Sequence, residues 1–228
     1  LAYTLFTLLG LDYIGDPWKW RNFLKISYGR TKVGAEQYKT NDNEIFFEST
    51  LIHHVNWAVS PYAGMSARTA ITKGYNYDVN PAIQIVDFLD PLYLTEGLGF
   101  VYDRIDNFST RLGVGFKQTF ANNYDSLYTD DPDTPNEVEG FKFESGIEII
   151  TEYKVEFLKN MEYYAYLRLF GKFENFSVWD VRWDNLVVAK INDYFNVNFN
   201  FLLVYDVDQT LKTQIKEALQ LGISYTLF

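Results

Sequence analysis

Apolar and polar residues alternate one by one along most of this chain. Between Phe195 and Asp208, one parity carries Phe, Val, Leu and Tyr, whereas the other carries mostly Asn and Asp. Between Phe141 and Phe157, the same alternation separates aromatic and aliphatic residues from Lys and Glu. Because successive side chains of a strand point to opposite faces, the pattern predicts β-strands with one apolar face and one charged or polar face.

The alternation predicts eleven strands, most of them far longer than the usual length of about five or six residues. They are 1–14, 18–31, 43–55, 58–72, 91–103, 107–121, 141–157, 161–174, 178–191, 195–208 and 212–227. Dividing 228 residues by eleven strands gives about 21 residues for a strand and its connection. In soluble β-sandwiches turn residues recur about every 8–12 residues, so the longer spacing favours membrane-spanning strands.

The connections alternate between short and long. Short turns are predicted at 15–17, 54–56, 104–106, 158–160 and 192–193, and longer polar joins at 32–42, 73–90, 122–140, 175–177 and 209–211. Short turns on one rim and long loops on the other are typical of outer-membrane barrels. The fold class predicted is therefore all-β, a transmembrane antiparallel up-and-down β-barrel. A soluble barrel or sandwich with an aromatic core is the alternative.

Composition narrows the classes of function. The chain has 20 basic and 30 acidic side chains, a net charge of −10, which argues against nucleic-acid partners. It has no Cys and two His, which excludes disulfides, thiolate catalysis and His-rich or Cys-ligated metal sites. No run of 18 apolar residues is present, so no transmembrane helix is predicted.

Several motifs resemble a known family. The segment from Trp179 to Tyr225 contains V-x-W-D-N-L, K-I-N, Y-D-V-D and K-T-Q-I-K-E-A-L-x-L-G-I-S-Y. It is similar to the C-terminal half of an outer-membrane barrel family of Gram-negative bacteria that is named only as a domain of unknown function. Residues 74–77, 87–89, 93–95 and 97–99 resemble the middle of that family. The resemblance implies a barrel but supplies no activity, ligand or catalytic residue.

The resemblance also implies what the complete protein contains. Family members carry a signal peptide and one more strand ahead of the position of Leu1. Closed bacterial barrels have an even strand count, so twelve strands are expected in a single barrel domain that includes residues 1–228. We expect this protein in the bacterial outer membrane, with long loops extracellular and the C-terminus periplasmic. At that end Phe228 is one residue out of step with the apolar parity of Leu219 to Leu227.

The polar parity predicts charges that line the lumen of the barrel. Its candidate residues are Arg21, Lys25, Glu48, Arg68, Arg111, Glu144, Glu148, Arg168, Lys172, Asp180, Arg182, Asp184 and Asp206. Such charges set selectivity in a water-filled pore, whereas in a narrow barrel they pair and fill the interior. Pairing about the turn at 158–160 is expected to bring Glu144 and Glu148 toward Arg168 and Lys172.

One acidic residue breaks the pattern. Glu96 shares its parity with Leu92, Leu94, Leu98 and Phe100, which would place a carboxylate on the apolar face. A β-bulge at Gly97 that resets the parity is the simpler interpretation. The alternative is a contact between Glu96 and a protein neighbour.

Catalytic and metal sites have weak candidates only. His53 and His54 lie near Ser49 and Ser60, but no serine has a nucleophile-elbow motif, so no catalytic residue is predicted. Asp131, Asp133 and Glu137 are oxygen ligands that suit Ca²⁺. Prolines stand where a calcium loop has its glycine turn, so no metal or cofactor is expected.

These observations favour a non-enzymatic membrane protein. The first hypothesis is a narrow or occluded channel for small polar solutes. The alternative is an accessory or structural barrel of a larger outer-membrane assembly for secretion, nutrient uptake or barrel insertion, and a lipid-modifying enzyme is more remote. The expected partners are outer-membrane lipid and other outer-membrane proteins.

Overall fold

The chain is almost entirely β-structure in a computed structural model that describes residues 1–131, 134, 136–206 and 210–223. The long strands are β1 (Ala2–Ile14), β2 (Trp18–Thr31), β3 (Lys39–His53), β4 (Ser60–Thr69), β7 (Leu92–Ile105), β8 (Phe108–Phe120), β9 (Phe141–Leu158), β10 (Met161–Lys172), β11 (Trp179–Lys190), β12 (Phe195–Asp206) and β13 (Thr210–Ile223). Two short strands, β5 (Gly74–Asn76) and β6 (Ile83–Val86), and one helix, α1 (Asp125–Tyr128), lie in the connections.

The eleven long strands form one antiparallel sheet in the order in which they occur along the chain, with β4 beside β7. β5 and β6 form a separate hairpin. Each of the eleven predicted strands corresponds to one long strand, so the all-β class and the strand number in this chain are confirmed.

Most strand ends differ from the predicted ones by a few residues, and three differences are larger or add an element. β3 begins at Lys39 rather than at residue 43, because a register shift at Gly29 and Arg30 extends its pairing with β2 to Thr31. The connection 73–90 contains the β5–β6 hairpin, and 122–140 contains α1. The predicted final strand ran to residue 227, but 224–228 are outside the described residues.

Helical structure is minor. α1 has four residues. Among the described residues, no helix has the length and apolar character needed to cross a membrane.

The short turns use asparagine in the left-handed region. Asn107 has φ of 62° between β7 and β8, and Asn160 has φ of 66° between β9 and β10. Asn tolerates positive φ better than most residues, and two-residue hairpin turns require it. The predicted turn at 158–160 is thus a tight turn of Lys159 and Asn160.

Contacts divide the chain into two compact units, each with its own buried side chains. The first contains residues 1–55, 61–98 and 115–145, and the second contains 56–60, 99–114 and 146–228. Phe46, Ile52 and Tyr62 are buried in the first unit, and Val101, Ile150 and Phe170 in the second. These buried side chains belong to the parity that carries the charges.

Candidate functional site

The candidate site is the charged face of the sheet, defined in the first unit by Lys25, Glu44 and Arg68 and in the second by Glu148 and Arg168. The opposite face, which carries Trp20 and Phe47 in the first unit, is called the apolar face. Register places Lys25 opposite Phe46, and Phe46 opposite Arg68, across β2, β3 and β4. The two faces follow directly from the alternation along each strand.

In the first unit, single carboxylates are shared between two cations. Glu44 lies 2.8 Å from Lys25 Nζ and 3.3 Å from Arg68 Nε, measured between charged atoms. The Arg68 guanidinium also lies 4.9 Å from the centroid of the Phe46 ring. Each cation therefore has both a carboxylate and the packing of neighbouring side chains to hold it in place.

Glu144 of β9 has the same arrangement. One of its carboxylate oxygens lies 3.3 Å from Lys117 Nζ, and the other lies 3.8 Å from Lys142 Nζ. The sequence predicted that Glu144 would approach Arg168 and Lys172. Register places Lys172 opposite Gly146, on the same face as Glu144 and Glu148 and two residues from each along β9. The contact with Lys117 joins β8 to β9. The turn at 158–160 sets the register of β9 with β10 and gives no information about β8.

In the second unit, the predicted pair of Glu148 and Arg168 is present. Arg168 Nε donates to a Glu148 carboxylate oxygen at 2.8 Å, and Arg168 Nη2 lies 2.7 Å from the same oxygen. Arg111 Nη2 donates to Glu152 at 3.0 Å, and Arg182 Nε lies 2.7 Å from Asp184. Register sets Arg168 directly opposite Arg182. The two like charges are compensated because each arginine contacts a different carboxylate.

Several members of these pairs are deeply buried. Glu148 and Arg111 are 4% exposed and Glu144 is 7% exposed. The desolvation of a carboxylate costs several kcal/mol, and only close opposite charges and hydrogen bonds offset it. The charged side chains of this face can therefore be buried only because they are paired with opposite charges.

The register also places other predicted residues of this face. Glu48 lies opposite Phe23, Asp180 lies opposite Phe170, and Asp206 is buried opposite Thr210. Arg21 Nε lies 3.8 Å from Asp12, and both side chains are largely solvent-accessible. All thirteen candidates keep the polar parity that the sequence assigned, and their role as a lumen lining remains a prediction.

The apolar face is exposed where the charged face is buried. Leu98 and Leu112 are 58% and 57% exposed, and Phe143 is 53% exposed. Phe143 is the residue directly before Glu144, so neighbouring residues of one strand have opposite environments. This order is the reverse of that in a water-soluble protein.

Two carboxylates lie on the apolar face. Exposure alternates through Gly97, with Thr95 and Gly97 buried and Glu96 and Leu98 exposed. The bulge expected at Gly97 is therefore wrong, because the parity does not reset. On β13, Glu217 is exposed between the side chains of Ile215 and Leu219. Neither carboxylate makes an ion pair or hydrogen bond with the described part of the chain.

The serine and histidine singled out in the sequence have other contacts. Ser49 Oγ accepts a hydrogen bond from Trp20 Nε1 at 2.8 Å and donates to Asn22 Oδ1 at 2.9 Å. Asn22 Nδ2 donates to Leu11 O at 3.1 Å. The His53 ring lies 4.3 Å from the Trp18 ring, centroid to centroid. Polar groups on the apolar face thus satisfy one another in a chain of hydrogen bonds.

The weak calcium candidate is not assembled in the described residues. Asp133 lies outside them, and the rest contain no cluster of three His, Cys, Asp or Glu side chains able to hold a metal ion. Glu139, which the sequence did not single out, orders this loop instead. Its carboxylate accepts hydrogen bonds from Thr134 Oγ1 at 2.5 Å and from the Asp131 N–H at 3.0 Å. These hydrogen bonds, that from Thr134 foremost, lower the pKa of Glu139.

Asp90 joins the two longest loops and was missed by the sequence analysis. Its buried carboxylate accepts the Asn122 N–H at 3.0 Å, the Asn123 N–H at 2.8 Å and Asn123 Nδ2 at 3.0 Å. Burial, followed by the charge of Asp90, raises the pKa of Tyr128 to about 12. The sequence shows only that Asp90 stands directly before Pro91, ahead of β7. An Asp-Pro pair is too common to predict a contact between two loops.

Comparison with known proteins finds a family match at the N-terminal end of the chain. A DUF3078 domain, described as a protein of unknown function, covers residues 1–75. The matched part is not the segment from Trp179 to Tyr225 on which the family resemblance rested. No curated protein and no solved structure matches the chain.

Proposed function

We propose that this chain belongs to an integral β-barrel of the bacterial outer membrane whose interior is a narrow or occluded conduit for small polar solutes. The observation that carries the proposal is the inverted exposure of the two faces. Phe143 is exposed and the adjacent Glu144 is buried on β9, and on β8 Leu112 is exposed and the adjacent Arg111 is buried. A bilayer accommodates such a surface, because it solvates apolar side chains and excludes charged ones.

Long antiparallel strands also support this environment. β7 and β9 have 14 and 18 residues, and a spanning strand needs about 9–11. Neighbouring strands satisfy each other's backbone groups, as spanning structure requires. Exposed aromatic residues near strand ends, such as Trp18 and Phe141, suit the two membrane interfaces.

The ion pairs support a narrow interior. Side chains that line a wide aqueous pore remain hydrated, whereas Glu144, Glu148 and Arg111 are almost fully buried. Arg182 and Asp184 pair more openly, with the Asp184 side chain 34% exposed. Paired charges of both signs oppose free passage of ions and leave room for small polar molecules only.

Conductance of the purified chain in a planar bilayer tests the conduit. The native protein should give a small, steady conductance. Arg168→Ala removes one positive charge beside Glu148, and one charge at about 4 Å in water contributes about 1 kcal/mol, roughly fivefold in local cation occupancy. Cation selectivity should therefore rise in Arg168→Ala. Lys159→Ala, in an exposed turn, serves as the control and should behave like the native chain.

An absence of conductance in both the native chain and Arg168→Ala would contradict the conduit. It would favour the second candidate, an accessory or structural barrel of a larger outer-membrane assembly. Glu96 and Glu217 specifically favour that role. A carboxylate in contact with hydrocarbon is costly, and a neighbouring protein that offers a cation or a hydrogen-bond donor removes this cost.

Glu96→Leu tests the accessory role. Removal of the carboxylate should preserve folding or improve it, because Leu suits the apolar face. A discrete complex seen by cross-linking on intact cells and native electrophoresis should be lost. Glu137→Leu removes an exposed loop carboxylate and should leave that complex unchanged. Identical complexes in both variants would argue against a contact through Glu96.

A further inference from the structure

Two cations at the long-loop end of β2 lack a carboxylate partner among the described residues. Arg30 donates from Nη2 to Tyr38 O at 2.9 Å, and its Nε is buried without a hydrogen-bond partner. Arg30 Cζ lies 5.7 Å from the centroid of the Tyr38 ring, and Lys32 Nζ lies 5.6 Å from it. Two positive charges thus converge on one tyrosine ring.

This arrangement contrasts with three nearby cations of the first unit. Lys25 and Arg68 share Glu44, and the neighbouring Lys39 pairs with Glu36 at 2.8 Å. The chain has 30 acidic side chains for 20 basic ones, so acidic residues are not scarce. Like charges close together repel one another, and an anion from outside the chain would relieve this repulsion.

The two cations lie where the apolar face ends. Register places Tyr3 opposite Arg30, and the Tyr3 ring lies 6.1 Å from the Tyr38 ring, centroid to centroid. Tyr3 is 50% exposed, and Leu5 on the same face of β1 is also exposed. On the proposed function, a tyrosine pair at the end of an apolar face lies at the level of the lipid headgroups.

We propose that Arg30 and Lys32 bind the phosphate of an anionic lipid headgroup of the phosphomonoester class. Arg30 Nη1 and Lys32 Nζ have no described hydrogen-bond partner, and both are strong donors to phosphate oxygens. A phosphomonoester carries about −1.5 to −2 charges near pH 7, which matches two cations. Tyr3 and Tyr38 pack beside the headgroup. The site rests on the proposed function, because it requires the apolar face to lie in a bilayer.

Spin-labelled lipids test this site on the full chain inserted in phosphatidylcholine vesicles. Electron paramagnetic resonance compares the association of labelled phosphatidic acid with that of labelled phosphatidylcholine. The native chain should prefer phosphatidic acid, and Arg30→Gln with Lys32→Ala should weaken that preference about tenfold, the equivalent of one charge-assisted hydrogen bond. Lys159→Ala removes an exposed cation from a short turn and should retain it.

The outcomes separate this site from the membrane proposal. Equal preference in the double variant and the native chain overturns the site. If an equal concentration of inorganic phosphate displaces phosphatidic acid, the site binds free phosphate and not a lipid headgroup. If Arg30→Gln disturbs folding, Lys32→Glu alone must lose the preference. Complete digestion of the strands by protease added to pure phosphatidylcholine vesicles would instead contradict membrane insertion itself.

Discussion

One buried carboxylate, that of Asp90, holds two loops together through its hydrogen bonds. A carboxylate with little solvent contact is tolerated only with several donors, and Asp90 has three from Asn122 and Asn123. The backbone before it closes a tight turn, in which Asp87 and Asp90 exchange N–H···O bonds of 2.8 and 3.1 Å. The start of the loop 122–140 is thereby fixed to the end of the loop 73–90.

Asp90→Asn should release the loop 122–140. One oxygen becomes an amide NH₂ that faces existing donors, and the loss of a hydrogen bond to a charged group costs about 1.5–3 kcal/mol. Cleavage after Glu137 by a glutamyl endoprotease should accelerate about tenfold or more, because cleavage follows the population of the open loop. The measurement is the cleavage rate in detergent.

Asp78→Asn is the control for this measurement, since Asp78 is an exposed residue of the same hairpin connection. It should be cleaved at the native rate. If Asp90→Asn is cleaved no faster than Asp78→Asn, Asp90 does not hold the two loops together.

At the scale of elements, β9 and β10 approach closely where both carry glycine. A Cβ added at Gly146 would lie 2.9 Å from the Gly171 carbonyl carbon and 3.0 Å from the Phe170 ring. Glu148 lies two residues beyond Gly146 on the same face and directly opposite Phe170. The glycine thus sets the strand separation next to the Glu148–Arg168 ion pair.

Gly146→Ala should lower the free energy of unfolding by about 1–3 kcal/mol, because the added methyl group overpacks the β9–β10 contact. The measurement is the denaturant midpoint in detergent. Gly10→Ala in β1 is the matched control, since its nearest atom, Asn22 O, is 4.0 Å from the added carbon. That control should be neutral or more stable by about 0.4–1 kcal/mol. Equal losses in both variants would show that the contact is looser than described.

The sequence predicted the elements that depend on alternation and missed those that depend on contacts between loops. β2 was predicted at its observed bounds, and β12 at its observed start, because both strands alternate without interruption. The β5–β6 hairpin and α1 have no such pattern, since four residues or fewer give no usable period.

In the candidate site, too, the sequence predicted the contacts that depend on alternation and a tight turn, and missed those made across a long loop. Parity alone placed Glu148 and Arg168 on one face, and a tight turn set their register. The contact between Glu144 and Lys117 was not predictable, because Lys117 approaches across the long connection 122–140. Arg30 was not singled out, since a missing ion pair leaves no trace in the sequence.

For the whole molecule, the proposed orientation places the loop 122–140 outside the cell and the turn at Lys159 in the periplasm. Because the chain has no cysteine, a single introduced thiol reports its own position. Glu137→Cys should react with an impermeant maleimide on intact cells. Lys159→Cys should react only after the outer membrane is permeabilised.

Labelling yields measured on the two variants, before and after permeabilisation, decide this orientation. A reversed pattern would mean that the chain is inserted the other way round. Equal labelling of both thiols on intact cells would mean that the membrane does not separate the loop from the turn.

The exposed Phe143 beside the buried Glu144 has a consequence for the newly made chain. Before its strands pair, most apolar residues of this alternation are next to polar ones, and the mean hydropathy is only −0.18. Residues 1–228 are therefore hydrophilic on average before they fold, and they contain no run of 18 apolar residues of the kind that inserts into a bilayer as a helix. Strand pairing places the polar and apolar side chains on opposite faces of the sheet. The continuous apolar face therefore forms only when the chain folds. On the proposed function, the water-insolubility of this chain would be a product of folding and not of composition.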